Sequence, residues 1–160
     1  MKHLRPSAKA IIIRDGSLLV LRMRDEEALW YLLPGGGVEF GETLHEALRR
    51  ECREELGVEV EIGPLRFVRE YIAAHHEFAH EGDAHQVEYM FICRIVGQNG
   101  DCPLDAVGGA VPLLPDKGQL GIDWLPVAAL EEHRFYPKTL RPLLGRMDDP
   151  ETPTCLGDVN

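Results

Sequence analysis

The sequence predicts an α/β fold, a sandwich of a mixed β-sheet around one central helix, and three observations predict it. Ala8 to Arg14 and Ser17 to Met23 are β-branched and aliphatic runs separated by Asp15-Gly16, a strong hairpin signal. Leu44 to Leu56 carries an apolar stripe at helical period, with a start signal before it and Gly57 after it. Further strand patterns and one or two later helices follow, so strands and helices share one layered unit.

Taken in order, Trp30 to Leu33 reads as a short strand stopped by Pro34 and the glycines Gly35, Gly36 and Gly37. Thr43 and Glu46 form a capping box, which opens the central helix. Val58 to Ala73 reads as strand broken near Gly63-Pro64, and Gln86 to Val96 as another. Gly97 to Gly118, rich in Gly, Pro and Asp, reads as one long loop. Ile122 to Leu125 is a last short strand. Val127 to His133 and Pro137 to Arg146 read as helices, with Pro137 tolerated in a first turn. Polar residues and prolines from Asp148 onward predict a frayed tail. The reading is therefore one domain over 1–147 and a flexible tail over 148–160, without internal repeats.

A chain of 160 residues suits one core. Its net charge of −10 argues against an extended nucleic-acid surface and against an anionic membrane as partner. The start, MKHLRPSAKA, has no apolar signal core and no run is long enough to span a bilayer, so a cytoplasmic location is the default. Cys52, Cys93, Cys102 and Cys155 show no CxxC pairing and read as reduced thiols. A homodimer is left open.

The helix poses a question of geometry. At roughly 100° per residue, Leu44, Ala47, Leu48, Cys52 and Leu56 make one apolar face, and Glu51 and Glu55 fall within it, with Glu54 at its edge. Arg49, Arg50, Arg53 and Glu46 point the other way. Removing a carboxylate from water costs several kcal/mol unless a cation compensates it. Arginine partners or a bound metal are the two remedies. Carboxylates one turn apart can share a hard cation such as Mg²⁺, which takes oxygen ligands.

Extended outward, the segment Gly36 to Val58 is GGVEFGETLHEALRRECREELGV. It resembles the Nudix box, G-x5-E-x7-R-E-U-x-E-E-x-G-U, with U a bulky aliphatic. Each fixed position matches except Cys52, which packs as a small hydrophobe where the family has Ile, Leu or Val. The resemblance implies a Nudix-like α/β/α sandwich with a mixed β-sheet and a central catalytic loop–helix. It also implies a Mg²⁺- or Mn²⁺-dependent hydrolase of pyrophosphate bonds, acting on a small nucleoside-diphosphate derivative.

Carried over, Glu51, Glu54 and Glu55 would be metal ligands together with the Gly35 carbonyl. Arg50 would orient the glutamates, Glu42 would assist from the helix entrance, and Glu54 and Glu51 would serve catalysis. Gly36 and Gly37 would let backbone approach the phosphates, a role that competes with a plain tight turn. The family often takes a further glutamate from outside the box, and Glu88, between Val87 and Tyr89, is preferred to Glu70. An outward-facing strand residue is the competing reading of Glu88.

His76-Glu77-Phe78-Ala79-His80 spells H-E-x-x-H, but a zinc helix does not fit a short segment flanked by strand and ended by Gly82-Asp83. His76 and His80 are instead assigned to a loop closing over substrate, with a plain solvated loop as the alternative. Nucleotide sugars, ADP-ribose, dinucleoside polyphosphates and nucleoside triphosphates stay open as substrates. A non-catalytic Nudix-fold nucleotide sensor is the second hypothesis.

Overall fold

The computed structural model describes residues 3–77, 79, 82–96 and 118–160. β1 (Leu4–Ile11) leads into a hairpin of β2 (Ile13–Arg14) and β3 (Ser17–Arg24). Its turn residues Asp15 and Gly16 have φ of 49° and 74°, the left-handed pair that the Asp-Gly signal predicts. β4 (Leu29–Leu32) and β5 (Gly35–Gly37) precede the central helix α1 (Leu44–Leu56). β6 (Glu59–Ile72), a 3-10 turn at Ala73–His75 and β7 (His85–Val96) follow. β8 (Gln119–Pro126), a 3-10 turn at Val127–Glu132, β9 (Phe135–Tyr136), α2 (Leu140–Leu144) and β10 (Cys155–Asp158) complete the order.

Two sheets result. The first runs β10-β6-β7-β1-β5, and the second β2-β3-β4-β9 with β8 also on β3. The first is mixed, because β1 and β7 are parallel whereas β6 and β7 are antiparallel. Strand alternation sends residues to two cores. Ala8, Ala10, Phe91 and Cys93 pack with Leu48, Cys52 and Leu56 of α1. Ile11, Phe67 and Met90 pack with Leu130, Leu140 and Leu144. Each face of the first sheet is thereby covered, as an α/β sandwich requires. Among the described residues, no helix is long and apolar enough to cross a membrane.

Several elements differ from the sequence expectation. Gly35–Gly37 is not loop alone: it is an edge strand whose main chain pairs antiparallel with Ser7 to Lys9. Side-chain patterns cannot reveal a strand that has no side chains. Gly63-Pro64 does not break β6 but is absorbed as a bulge, with register shifts on either side of Leu65. The late helices are shorter than expected. Leu140 and Arg141 N–H groups bond three residues back, to Pro137 and Lys138 at 3.1 and 3.0 Å, and Pro142 brings no N–H. The long loop expected over Gly97 to Gly118 lies outside the described residues but for Gly118.

The segment from Asp148 onward does not fray but packs on the first sheet. β10 pairs parallel with β6, the Ile72 N–H donates to Asp158 Oδ1 at 3.0 Å, and Arg69 Nη1 donates to the Val159 carbonyl at 2.8 Å. Composition hides this because the partners lie 86 and 90 residues away. Deleting residues 155–160 is expected to lower Tm by roughly 5–10 °C, from several lost hydrogen bonds at about 1 kcal/mol each. A melt followed by circular dichroism checks this, and an unchanged Tm would show that the tail only rests on the fold.

Candidate functional site

The helix begins and ends as its sequence dictates. Glu46 N–H donates to Thr43 Oγ1 at 3.2 Å, Thr43 N–H donates back to Glu46 Oε2 at 2.8 Å, and Gly57 closes the helix at φ 68°. Glu55, predicted to face inward, is 1% exposed. Its Oε2 accepts from the Gly35 N–H at 2.7 Å. Glu51 lies against the next residue of the same strand: a Cβ on Gly36 would stand 2.4 Å from Glu51 Oε1. A larger residue there would push the Glu51 carboxylate aside.

Arg50 does not turn away from the carboxylates as its helical angle implies, because its long stem folds back across them. Nε and Nη2 donate to Glu42 Oε1 and Oε2 at 2.7 and 2.9 Å, a two-point grip. Nη1 donates to Glu51 Oε1 at 2.9 Å and lies 3.6 Å from Glu54 Oε2, and Nη2 also reaches the Gly37 carbonyl at 3.0 Å. Glu42 is drawn down to about 2, first by the Arg50 hydrogen bonds and next by the Glu39 N–H. Arg50 in turn is pushed up, chiefly by Glu42 and against the cost of its own burial. Glu42, Glu51, Glu54 and Arg50 thus form one group at the entrance of α1.

The opposite side of the strand carries a second group. Lys9 alternates with Ala8 and Ala10, which face α1, so its side chain leaves on the other face. There its Nζ donates to the Gly35 carbonyl at 2.5 Å. Gly35 therefore touches Glu55 through its N–H and Lys9 through its C=O. Lys9 also lines a cavity of about 560 Å³, walled by Trp30, Tyr136, Arg134, Arg69 and Glu88. Trp30 and Tyr136 meet edge to face with ring centres 6.1 Å apart. Arg134 Nη2 donates to Asp25 Oδ2 at 2.9 Å on the rim, and this contact leads the causes that hold Asp25 at about 2.

Glu88 occupies this cavity side rather than the helix side. It pairs with Ser7 on β1, whose other partner is Gly37, so two strand spacings of about 5 Å each separate it from β5. Arg69 Nε donates to its Oε2 at 2.5 Å. Burial alone would raise the Glu88 carboxyl, but the charges of Arg69 and Lys9 outweigh it and hold it below its ordinary range. The structure thus gives this glutamate an arginine partner where the resemblance suggests a place in the metal set.

His76 is placed elsewhere again. Its Nε2 lies 2.7 Å from Asp158 Oδ1 and its ring stacks on Tyr71, while His75 Nδ1 lies 2.7 Å from Asp158 Oδ2. It ties the 3-10 turn to the tail and is not among the residues lining the cavity. His80 lies outside the described residues. Sequence reasoning missed Lys9, Trp30, Arg69, Arg134 and Tyr136. A usable signal existed for Lys9, a charge set among the buried residues of β1, whereas Arg69 shares β6 with Arg66 and Glu70 and does not stand out.

Among the described residues, no three His, Cys, Asp or Glu side chains converge as a ready-made metal cage. The donors nevertheless suit a hard cation: carboxylates from one helix face meet a backbone strand, and Glu55 is buried beside it. Glu51, Glu54 and Glu55 are the carboxylates that would hold Mg²⁺ or Mn²⁺, whereas the Gly35 carbonyl, which the resemblance adds to the set, is occupied by Lys9 on the cavity side.

The sequence pattern of the NUDIX domain matches residues 3–144. This chain belongs to the Nudix family. Over 89 residues it is 35% identical to the nucleoside triphosphatase NudI of Escherichia coli, covering 52% of this chain and 63% of that protein. The match thus spans less than two thirds of that relative's length. NudI of another Escherichia coli strain is 34% identical over 101 residues, 59% of this chain and 70% of the relative. The crystal structure of a MutT Nudix hydrolase from Burkholderia pseudomallei superposes with a TM-score of 0.57 at 28% identity, over 78% of this chain and 84% of that one. A Nudix hydrolase from Nitrosomonas europaea shares the fold at a TM-score of 0.69 and 16% identity, over 94% and 92% of the two chains.

Proposed function

We propose that this Nudix protein is a Mg²⁺- or Mn²⁺-dependent hydrolase that cleaves a phosphoric anhydride bond in a small nucleotide derivative. One observation carries the reading: Gly35 is held between Glu55 on the helix side and Lys9 on the cavity side. A nucleotide spanning that edge has its ring portion among Trp30 and Tyr136, and its phosphates pass Lys9 toward the carboxylates. Similarity to nucleoside triphosphatases puts nucleoside triphosphates first among candidate substrates.

A bound divalent ion would neutralise the polyphosphate and make a water acidic enough to attack. The chain's own residues supply the rest. Glu51 and Glu55 lie against the glycine strand, where they would hold the cation. Glu54, with 32% of its side chain exposed against 12% for Glu51, is the carboxylate open to solvent and takes the proton of the attacking water. Arg50 fixes Glu42 and Glu51, so little reorganisation is needed when substrate arrives.

The test is a panel of nucleoside triphosphates, nucleotide sugars, ADP-ribose and dinucleoside polyphosphates with Mg²⁺ and with Mn²⁺, read by phosphate or nucleotide release. Metal-dependent cleavage of at least one class is expected. Tight nucleotide binding with no cleavage by either metal would make the protein a sensor instead.

A further inference from the structure

The cavity contains a buried acceptor that the chemistry above does not use. Glu88 is 6% exposed and lines the cavity. Arg69 takes its Oε2, which leaves Oε1 as the oxygen open to the cavity. Arg69 is itself committed, with Nε on Glu88 and Nη1 on the Val159 carbonyl, so the pair is clamped between β6 and the tail. The carboxyl is ionised under the charges of Arg69 and Lys9, and an ionised carboxylate only accepts.

A planar ring entering beside Trp30 and Tyr136 would shut Oε1 off from solvent. The buried oxygen then needs an N–H from the ring, because an unpaired charged acceptor is costly. A ring edge bearing a carbonyl instead sets lone pairs against a carboxylate. We propose that Glu88 is a specificity-determining residue that selects amino-bearing bases through Oε1, favouring cytosine over uracil and adenine over unsubstituted purine. This deepens the nucleotide-hydrolase reading and rests on it. Sugar hydroxyls are the other donors a nucleotide offers. The depth of Glu88 among the ring-lined walls favours the base.

The experiment compares substrates that differ at the amino position in the wild-type protein: CTP against UTP, and ATP against purine riboside triphosphate. Ribo and deoxy forms of each are included. Glu88→Gln is then measured on the same set. The wild type is expected to favour the amino-bearing member in kcat/KM by roughly ten- to a hundredfold. In Glu88→Gln, whose amide both donates and accepts, that ratio should fall toward one. Equal use of both members by the wild type overturns the proposal with no variant needed. A preference that follows the 2′-hydroxyl, or a uniform loss on all substrates together with lost metal dependence, overturns it as well. If no nucleotide is cleaved, the hydrolase reading fails separately, and calorimetric binding of CTP and UTP still decides the base preference.

Discussion

Glu55→Gln is expected to lower kcat/KM on the order of a thousandfold, a loss of about 4 kcal/mol in transition-state stabilisation, while the protein stays folded. The reason is the double position of this side chain. Its Oε2 holds the Gly35 N–H at 2.7 Å, and a glutamine carbonyl accepts that bond equally well. What the variant loses is charge beside the strand where the proposed cation would sit. Removing a buried negative charge also relieves the metal-free protein, so its Tm should not fall. In the wild type, Mg²⁺ binding only the assembled site should stabilise by about 2.7 kcal/mol at a hundred times its Kd. That rise in Tm should shrink in the variant. Steady-state kinetics beside melts with and without Mg²⁺ check both parts. A folded variant with wild-type turnover would sink the metal assignment.

Much of this arrangement was legible because it is local. The capping box and Gly57 define α1 within one stretch, and helical period alone turns Glu55 inward beside Leu48 and Cys52. Three kinds of information were not legible. Gly35–Gly37 pairs through its backbone alone, so its sequence looks like a turn whether or not β1 lies alongside. Arg50 projects outward by angle, but a stem of several rotatable bonds brings its guanidinium back to Glu42 and Glu51. The tail reads as loose because nothing nearby holds it, whereas Arg69 and Ile72, distant in sequence, do.

The cavity belongs to the third kind. Lys9, Glu88 and Arg69 come from three strands, and only the β1–β7–β6 order makes them neighbours. Of the three, only Glu88, between Val87 and Tyr89, is singled out by sequence. A charge facing a core needs an opposite charge or a ligand, and strand order decides which anomalies meet. Glu88 illustrates the limit: its inward face was a fair inference, but its arginine partner depended on the β6–β7 register.

Arg50→Ala is expected to destabilise the metal-free protein by about 1–3 kcal/mol, a Tm loss on the order of 5 °C, and to cut activity at least tenfold. The side chain is 23% exposed, which places the cost below that of a fully buried pair. Its removal leaves Glu42, Glu51 and Glu54 facing one another without their cation. Mg²⁺ should then restore part of the lost Tm, because a second source of positive charge reaches the same carboxylates. The pH dependence separates this from simple loss of packing. Glu42 is depressed from 4.5 to about 2 in the folded protein, chiefly by Arg50. Its contribution to stability is therefore complete above about pH 4.5 and is lost as pH falls toward 2. The Tm gap between wild type and Arg50→Ala should accordingly be widest above pH 5 and close as pH falls through that window. A gap that stays constant down to pH 2.5 would mean that Arg50 holds the helix entrance by packing rather than by charge.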